Sequence, residues 1–207
     1  MQAATFYHIY NHANGSENLF RNIENYRYFL HQWNKYIEPI AGTYAYCLMP
    51  NHIHFLIRTK NEEDIAAFIR LKDTNSNIQK DLTGFENLSG LYLSKQFSNL
   101  FNAYAKAYNK QYNRKGSLFM RPFKSIEITS DSYLTTIVNY IHRNPIHHHF
   151  CNTFEEWPYS SYTTFLSNKP TKIQREYILN WFNGLNGFIQ NHKEQQLLYD
   201  TSLLIDF

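Results

Sequence analysis

Met49-Pro50-Asn51-His52-Ile53-His54-Phe55-Leu56-Ile57 is the stretch that decides how the chain is read. It alternates with period two, as a strand does when successive side chains point to opposite faces. Ile53, Phe55 and Ile57 fall on one face; His52, His54, Leu56 and Arg58 fall on the other. Histidines at i and i+2 of a strand aim their rings at one point. Imidazole is a common metal ligand, and two ligands on rigid backbone fix an ion's position. The same spacing also fits a surface pair on a half-solvated strand, so the pair needs a partner elsewhere before it means a site. Residues 40–49 read as a second strand, and the tight Met49-Pro50-Asn51 turn makes the two an antiparallel hairpin.

Outward from that hairpin, residues 5–11 (TFYHIYN) read as a strand and Asn14-Gly15-Ser16 as a loop. Residues 22–36 read as a helix with Ile23, Tyr26, Leu30, Trp33 and Ile37 at helical spacing, closed by Pro39. On the other side, residues 61–72 read as a helix with Ile65, Phe68 and Ile69 inward and Asn61 as N-cap. Residues 73–90 are polar and read as a loop, either irregular throughout or with a turn of helix. A long helix follows over 94–112, with Phe97, Leu100, Phe101, Tyr104, Ala105 and Tyr108 on one face. Residues 124–128 read as a short strand. A helix over 131–144, capped by Ser130 or Asp131, is ended by Pro145. Residues 172–182 and 187–197 read as short peripheral helices. This order predicts an α+β sandwich, a mainly antiparallel sheet with helices packed on it.

The chain has 207 residues, enough for one domain or one domain with an appendage, and at 43% hydrophobic it can bury a substantial core. Seven glycines and six prolines are few, which favours regular structure. A net charge of +3 and a pI near 8.7 suit a nucleic-acid binder without requiring one. Two cysteines, Cys47 and Cys151, form no disulfide framework or thiolate zinc pattern. No charged n-region precedes an apolar run at the start, and no apolar run is long enough to span a bilayer. The expected location is therefore the reducing cytoplasm, with no membrane partner.

The helix over 131–144 (DSYLTTIVNYIHRN) carries an apolar stripe of Leu134, Ile137, Val138 and Ile141. Tyr140 and Asn144 are four apart, so they point the same way from the edge of that stripe. Asn144 offers an oxygen ligand that could complete a two-histidine metal site. Each residue also has a plain structural role: a tyrosine beside a core stripe packs its ring and lets its hydroxyl reach water, and the residue before a proline often terminates a helix. Read alone, this helix favours those plain roles.

Taken together, the motifs resemble those of the single-tyrosine HUH transposases, in particular the subgroup associated with repetitive extragenic palindromes (REP). The resemblance rests on the His-hydrophobic-His strand after Met49-Pro50-Asn51 and on Tyr140-Ile141-His142-Arg143-Asn144-Pro145. Tyr7-His8-Ile9, the run Lys115-Gly116-Ser117-Leu118-Phe119 with Arg121-Pro122-Phe123, and WPYSSY at 157–162 add to it, so it covers about residues 5–165. It implies the HUH-nuclease sandwich, a ferredoxin-like central antiparallel sheet flanked by helices, over residues 1–165, with a C-terminal helical extension over 166–207 packed on the core. It implies that His52, His54 and Asn144 hold a divalent metal, Mg²⁺ or Mn²⁺, and that Tyr140 is the nucleophile. Some relatives carry Gln or His where Asn144 stands. The implied activity is metal-dependent cleavage and joining of single-stranded DNA at hairpins or palindromes through a 5′-phosphotyrosine. Relatives occur as monomers and as homodimers that share active sites, and the sequence does not choose between them.

Lys110, Arg114, Lys115, Arg121 and Lys124 alternate with Tyr112, Phe119 and Phe123, a pattern in which cations track phosphates and rings stack bases. It also fits a solvated helix end with core aromatics. His147-His148-His149 follows Pro145, and three consecutive residues cannot all aim at one ion, so a surface or phosphate role is expected. His8, His12, His31, His142 and His192 carry no pattern. The rival reading is a hairpin-binding protein of the same fold that no longer cuts.

Overall fold

The structure is a computed structural model, described here over residues 1–72 and 85–198. Four strands, β1 (Phe6–His12), β2 (Ala41–Leu48), β3 (His52–Thr59) and β4 (Lys124–Glu127), form one antiparallel sheet in the order β2-β3-β1-β4. The helices are α1 (Ile23–Tyr36), α2 (Glu62–Lys72), α3 (Phe85–Gln111), α4 (Asp131–His147), α5 (Tyr162–Phe165), α6 (Arg175–Trp181) and α7 (Leu185–Leu198), with a 3-10 turn at Phe154–Glu156. The expected α+β architecture and the β2–β3 hairpin are both present.

The sheet's two faces explain its composition. Ile53, Phe55 and Ile57 of β3, with Tyr7 and Ile9 of β1, point toward α1 and α3, where Phe29, Trp33, Phe97, Leu100 and Tyr104 cover them. Trp33 stacks on Phe55 at 3.5 Å between ring centroids, and its indole N–H donates to Thr43 Oγ1 at 2.9 Å. Each such buried ring contributes about 1.5–3 kcal/mol of transfer free energy. Phe29 fills the inward face of α1, whereas Ile23, in the first turn, stays exposed. Asn22 Oδ1 accepts from the Asn25 N–H and starts α1; Asn61 Oδ1 accepts from the Asp64 N–H and starts α2. The opposite face receives α4 through Leu134, Ile137, Val138 and Ile141.

Four expectations need correction. Residues 85–90 are helical, so α3 begins well before residue 94; the rest of the expected loop, 73–84, lies outside the described residues. Gly90 sits inside that helix because the N-terminus crosses it: a Cβ there would lie 2.7 Å from the Met1 carbonyl oxygen. Pro145 does not end α4. Its fixed φ is itself helical, and the helix runs on to His147 until His149, at φ 59°, adopts the left-handed conformation that stops it. The C-terminal helices are not peripheral, since Ile178, Phe182, Phe188 and His192 are buried in the core beneath α4. Phe119 is likewise buried, so its ring cannot stack a base.

Candidate active site

On β3 the period-two alternation sends His52 and His54 to the face covered by α4. On α4 the four-residue spacing sends Tyr140 and Asn144 back toward them. All four side chains are buried, three of them at 1% exposure. His52 Nε2 lies 2.7 Å from Asn144 Oδ1. The Tyr140 ring meets the His54 ring edge-on at 5.3 Å between centroids, and the two histidine rings are 5.1 Å apart at 82°. The sequence-expected residues therefore meet within one chain.

The hydrogen-bonding chemistry of this cluster tests whether a cation fits. His52 Nδ1 is 2.8 Å from Asn51 Oδ1, and a carboxamide oxygen only accepts, so Nδ1 carries the proton. In the neutral ring, Nε2 is then a lone pair facing another lone pair on Asn144 Oδ1. A metal cation between them relieves this contact, as would a second proton on His52 or the Asn144 amide N–H, which is itself buried without a partner, turned toward His52. His54 Nε2 is buried beside this pair with no hydrogen-bond partner. His52 Nε2, Asn144 Oδ1 and, in one of its tautomers, His54 Nε2 offer electron pairs from one buried cluster. Ligands at right angles on an ion with bonds of about 2.1 Å sit about 3 Å apart, close to the observed separation. Two imidazoles and a carboxamide fit a divalent metal. Among the described residues there is no metal-like group of three or more His, Cys, Asp or Glu, and this set differs by its amide.

Several histidines with no sequence pattern line the same site. His8 Nε2 is 3.0 Å from His54 Nδ1, and its ring also meets Tyr140. His12 stands opposite His52 in the β1–β3 register and stacks on it at 4.6 Å. His148 continues the Tyr140–Asn144 face one turn further, with its ring 4.9 Å from His52. Of the histidine run, His149 is exposed as expected, while His148 is half-buried against the site. The one signal available for β1 was the alternation His8, Tyr10, His12, which marks a polar row on a strand. Burial pushes His8 down to about 3 and His54 well below the ordinary histidine range, so both rings are neutral.

The expected cations are divided by the structure. Lys124 pairs with Tyr10, which pairs with His54, so Lys124 is exposed on the site's own face two strands away, about 10 Å by strand spacing. Lys110, Lys115 and Arg121 are also exposed, with Arg121 donating to Asn102 Oδ1. Arg114 is committed to the loop: it pairs with Glu17 at 2.7 Å and donates to Asn109 Oδ1 and to the Gly116 and Ser117 carbonyls. A groove of about 830 Å³ runs between α3 and residues 116–123, lined by Asn102, Lys106, Asn109, Arg121 and Phe123 among others. Its wall is tied to the end of β1 by the Met120 N–H, which donates to the His12 carbonyl, but Asn11, which pairs with Ile53 on the α3 face, lines it, so it lies on the sheet face opposite the histidines.

No family model matches the chain. A curated protein of Haemophilus influenzae named "Putative REP-associated tyrosine transposase" is 29% identical over 122 residues, which is 58% of this chain and 58% of that protein. A solved structure of a REP-associated tyrosine transposase bound to a REP hairpin matches with a TM-score of 0.53 over 82% of this chain and 84% of that one, at 17% identity. The chain resembles the REP-associated tyrosine transposases. The structural match shows the same fold, an antiparallel sheet flanked by helices, and the match to the curated relative spans a little over half of each protein. No helix among the described residues is long and apolar enough to cross a membrane.

Proposed function

We propose that the chain is a metal-dependent single-stranded DNA endonuclease and strand transferase, a transposase acting at hairpin or palindromic DNA through a 5′-phosphotyrosine. Residues 1–165 form its nuclease domain and 166–207 its extension. The observation that carries this reading is the 2.7 Å contact of His52 Nε2 with Asn144 Oδ1 beside the His54 ring, with Tyr140 against His54. The relative's name and the hairpin in the solved structure support it from outside the chain.

His52, His54 and Asn144 would hold Mg²⁺ or Mn²⁺. When bound, the ion polarises the scissile phosphate and offsets charge on its oxygens. Tyr140 attacks from the helix beside it. Its phenol oxygen bonds to phosphorus and gives up its proton to solvent; the bond from phosphorus to the 3′ oxygen breaks, and that oxygen takes up a proton as a 3′-hydroxyl. The 5′-phosphate stays on Tyr140. That bond retains the phosphodiester's energy, so a 3′-hydroxyl can reverse the step and join strands without a nucleotide cofactor. Lys124 meets phosphates beside the site, while Lys110, Lys115 and Arg121 follow the strand along the groove and Arg114 holds the loop that forms it. The reading holds alike for a monomer and for a homodimer. The expected place of action is the cytoplasm.

The test is a denaturing gel of the protein incubated with labelled single-stranded hairpin DNA from around its own gene, with Mn²⁺ or with chelator. A metal-dependent covalent protein–DNA band, absent in Tyr140→Phe, is expected. Hairpin binding with no covalent band would favour the non-cutting DNA binder.

A further inference from the structure

Both histidines of the candidate metal pair are held from behind at Nδ1. For His52 the holder is the Asn51 carboxamide at 2.8 Å. For His54 it is His8 Nε2 at 3.0 Å, reaching across from β1. The two arrangements differ in one respect. Asn51 Oδ1 can only accept, so it fixes the His52 tautomer; an imidazole nitrogen can donate or accept, so the His8–His54 contact has two states. If His8 donated, the His54 proton would sit on Nε2, and that nitrogen would have no lone pair to offer a cation. If His54 donates, Nε2 becomes a buried lone pair with no hydrogen-bond partner, in a ring 5.1 Å from that of His52. Only the second state leaves a ligand.

We infer that His8 is a positioning residue for the metal site: it accepts the His54 Nδ1 proton and so holds His54 Nε2 as a lone pair facing the ion. This rests on the proposed reading of His52, His54 and Asn144 as metal ligands. His8 touches neither ion nor DNA in this role; it acts through His54. Partners of this kind behind a ligating imidazole typically contribute 10–100-fold in metal affinity. His8 is suited to the task because it is 4% exposed and wedged between Tyr10, His54 and Tyr140, so its ring cannot turn away without repacking.

The test is Mn²⁺ binding by the full chain without DNA, read by the EPR signal of free Mn²⁺. It compares the wild type with His8→Leu, which has no acceptor, and His8→Gln, which can place a carboxamide oxygen near the position of Nε2. Affinity should fall 10–100-fold in His8→Leu and stay within about threefold of wild type in His8→Gln. Unchanged affinity in His8→Leu would overturn the inference, as would equal losses in both variants with wild-type melting curves. Imidazole ¹⁵N shifts of the metal-free protein give a second readout that does not depend on either variant folding. They should report the proton of His54 on Nδ1; a proton on Nε2 would overturn the inference. Failure of the wild type to bind Mn²⁺ would instead count against the metal reading itself, while the ¹⁵N shifts would still decide the tautomer.

Discussion

At the scale of single residues, the site's chemistry turns on where protons are. His52 Nε2 and Asn144 Oδ1 lie 2.7 Å apart as two acceptors, which is unfavourable unless something positive lies between. Asn144→Ala removes one donor and should weaken Mn²⁺ binding by about tenfold or more, the scale seen when a site loses even an outer partner. Titration calorimetry checks this; an unchanged affinity would show that Asn144 is no ligand. His52 and His54 stood out as a pair through the period of two on a strand; the spacing of four put Tyr140 and Asn144 on one helix face, but only the family resemblance marked them as a site. His8, His12 and His148 were not. The first two reach the site through the β1–β3 register, which spacing along the chain does not encode. His148 reaches it only because α4 continues through Pro145, against the usual behaviour of proline.

At the scale of elements, α4 is the part that must be held, since it carries Tyr140 and Asn144. One hold is a buried polar chain that joins it to α7 and β2. His192 Nδ1 donates to the Phe188 carbonyl at 2.8 Å, which leaves its Nε2 to accept from His142 Nδ1 at 2.9 Å. His142 Nε2 in turn meets Ser161 Oγ at 2.8 Å, and Ser161 bonds the backbone of Tyr46. Every bond is satisfied with both rings neutral. His192→Ala leaves a buried donor on His142 and should destabilise the protein by about 1–3 kcal/mol in urea unfolding. The same chain sets a pH dependence. Burial holds His192 down to about 4 and His142 well below the ordinary range. An unfolded histidine binds its proton near pH 6.5. Between those values the unfolded chain binds more protons, so stability is full above pH 6.5 and falls as pH drops toward 4. Melting temperatures across that window should decline, and less steeply in His192→Ala. A flat profile would contradict the network. None of this was visible in the sequence, where His142 and His192 are fifty residues apart and share no local pattern.

At the scale of the whole molecule, one sheet separates two packed layers: a dry layer of α1 and α3, and a second layer in which α4 covers both core and site. The sequence carried this plan well, because strand alternation and helix stripes report which face is buried. It carried the C-terminal helices poorly. The short α6 and α7 reach the core through a few residues, such as Phe188, rather than through a continuous stripe. Electrostatics also belong to this scale. The net charge of +3 is modest, but exposed Lys115 and Lys124 lie beside the groove and on the site's face. Replacing both with alanine should reduce the slope of log affinity against log salt for single-stranded hairpin DNA by about 0.7 for each phosphate that a lysine no longer neutralises. A slope unchanged from wild type would place the DNA elsewhere.

The most direct measurement asks which atom the DNA is joined to. The protein is incubated with hairpin-bearing single-stranded DNA and Mn²⁺, digested with trypsin and nuclease, and the peptide spanning residues 125–143 is sequenced by mass spectrometry. The expected result is a nucleotide phosphate on Tyr140, with the neighbouring Tyr133 unmodified and the adduct absent when metal is chelated. An adduct on any other residue, or an unmodified peptide from protein that binds the hairpin with Mn²⁺ present, would contradict the assignment of Tyr140 as nucleophile.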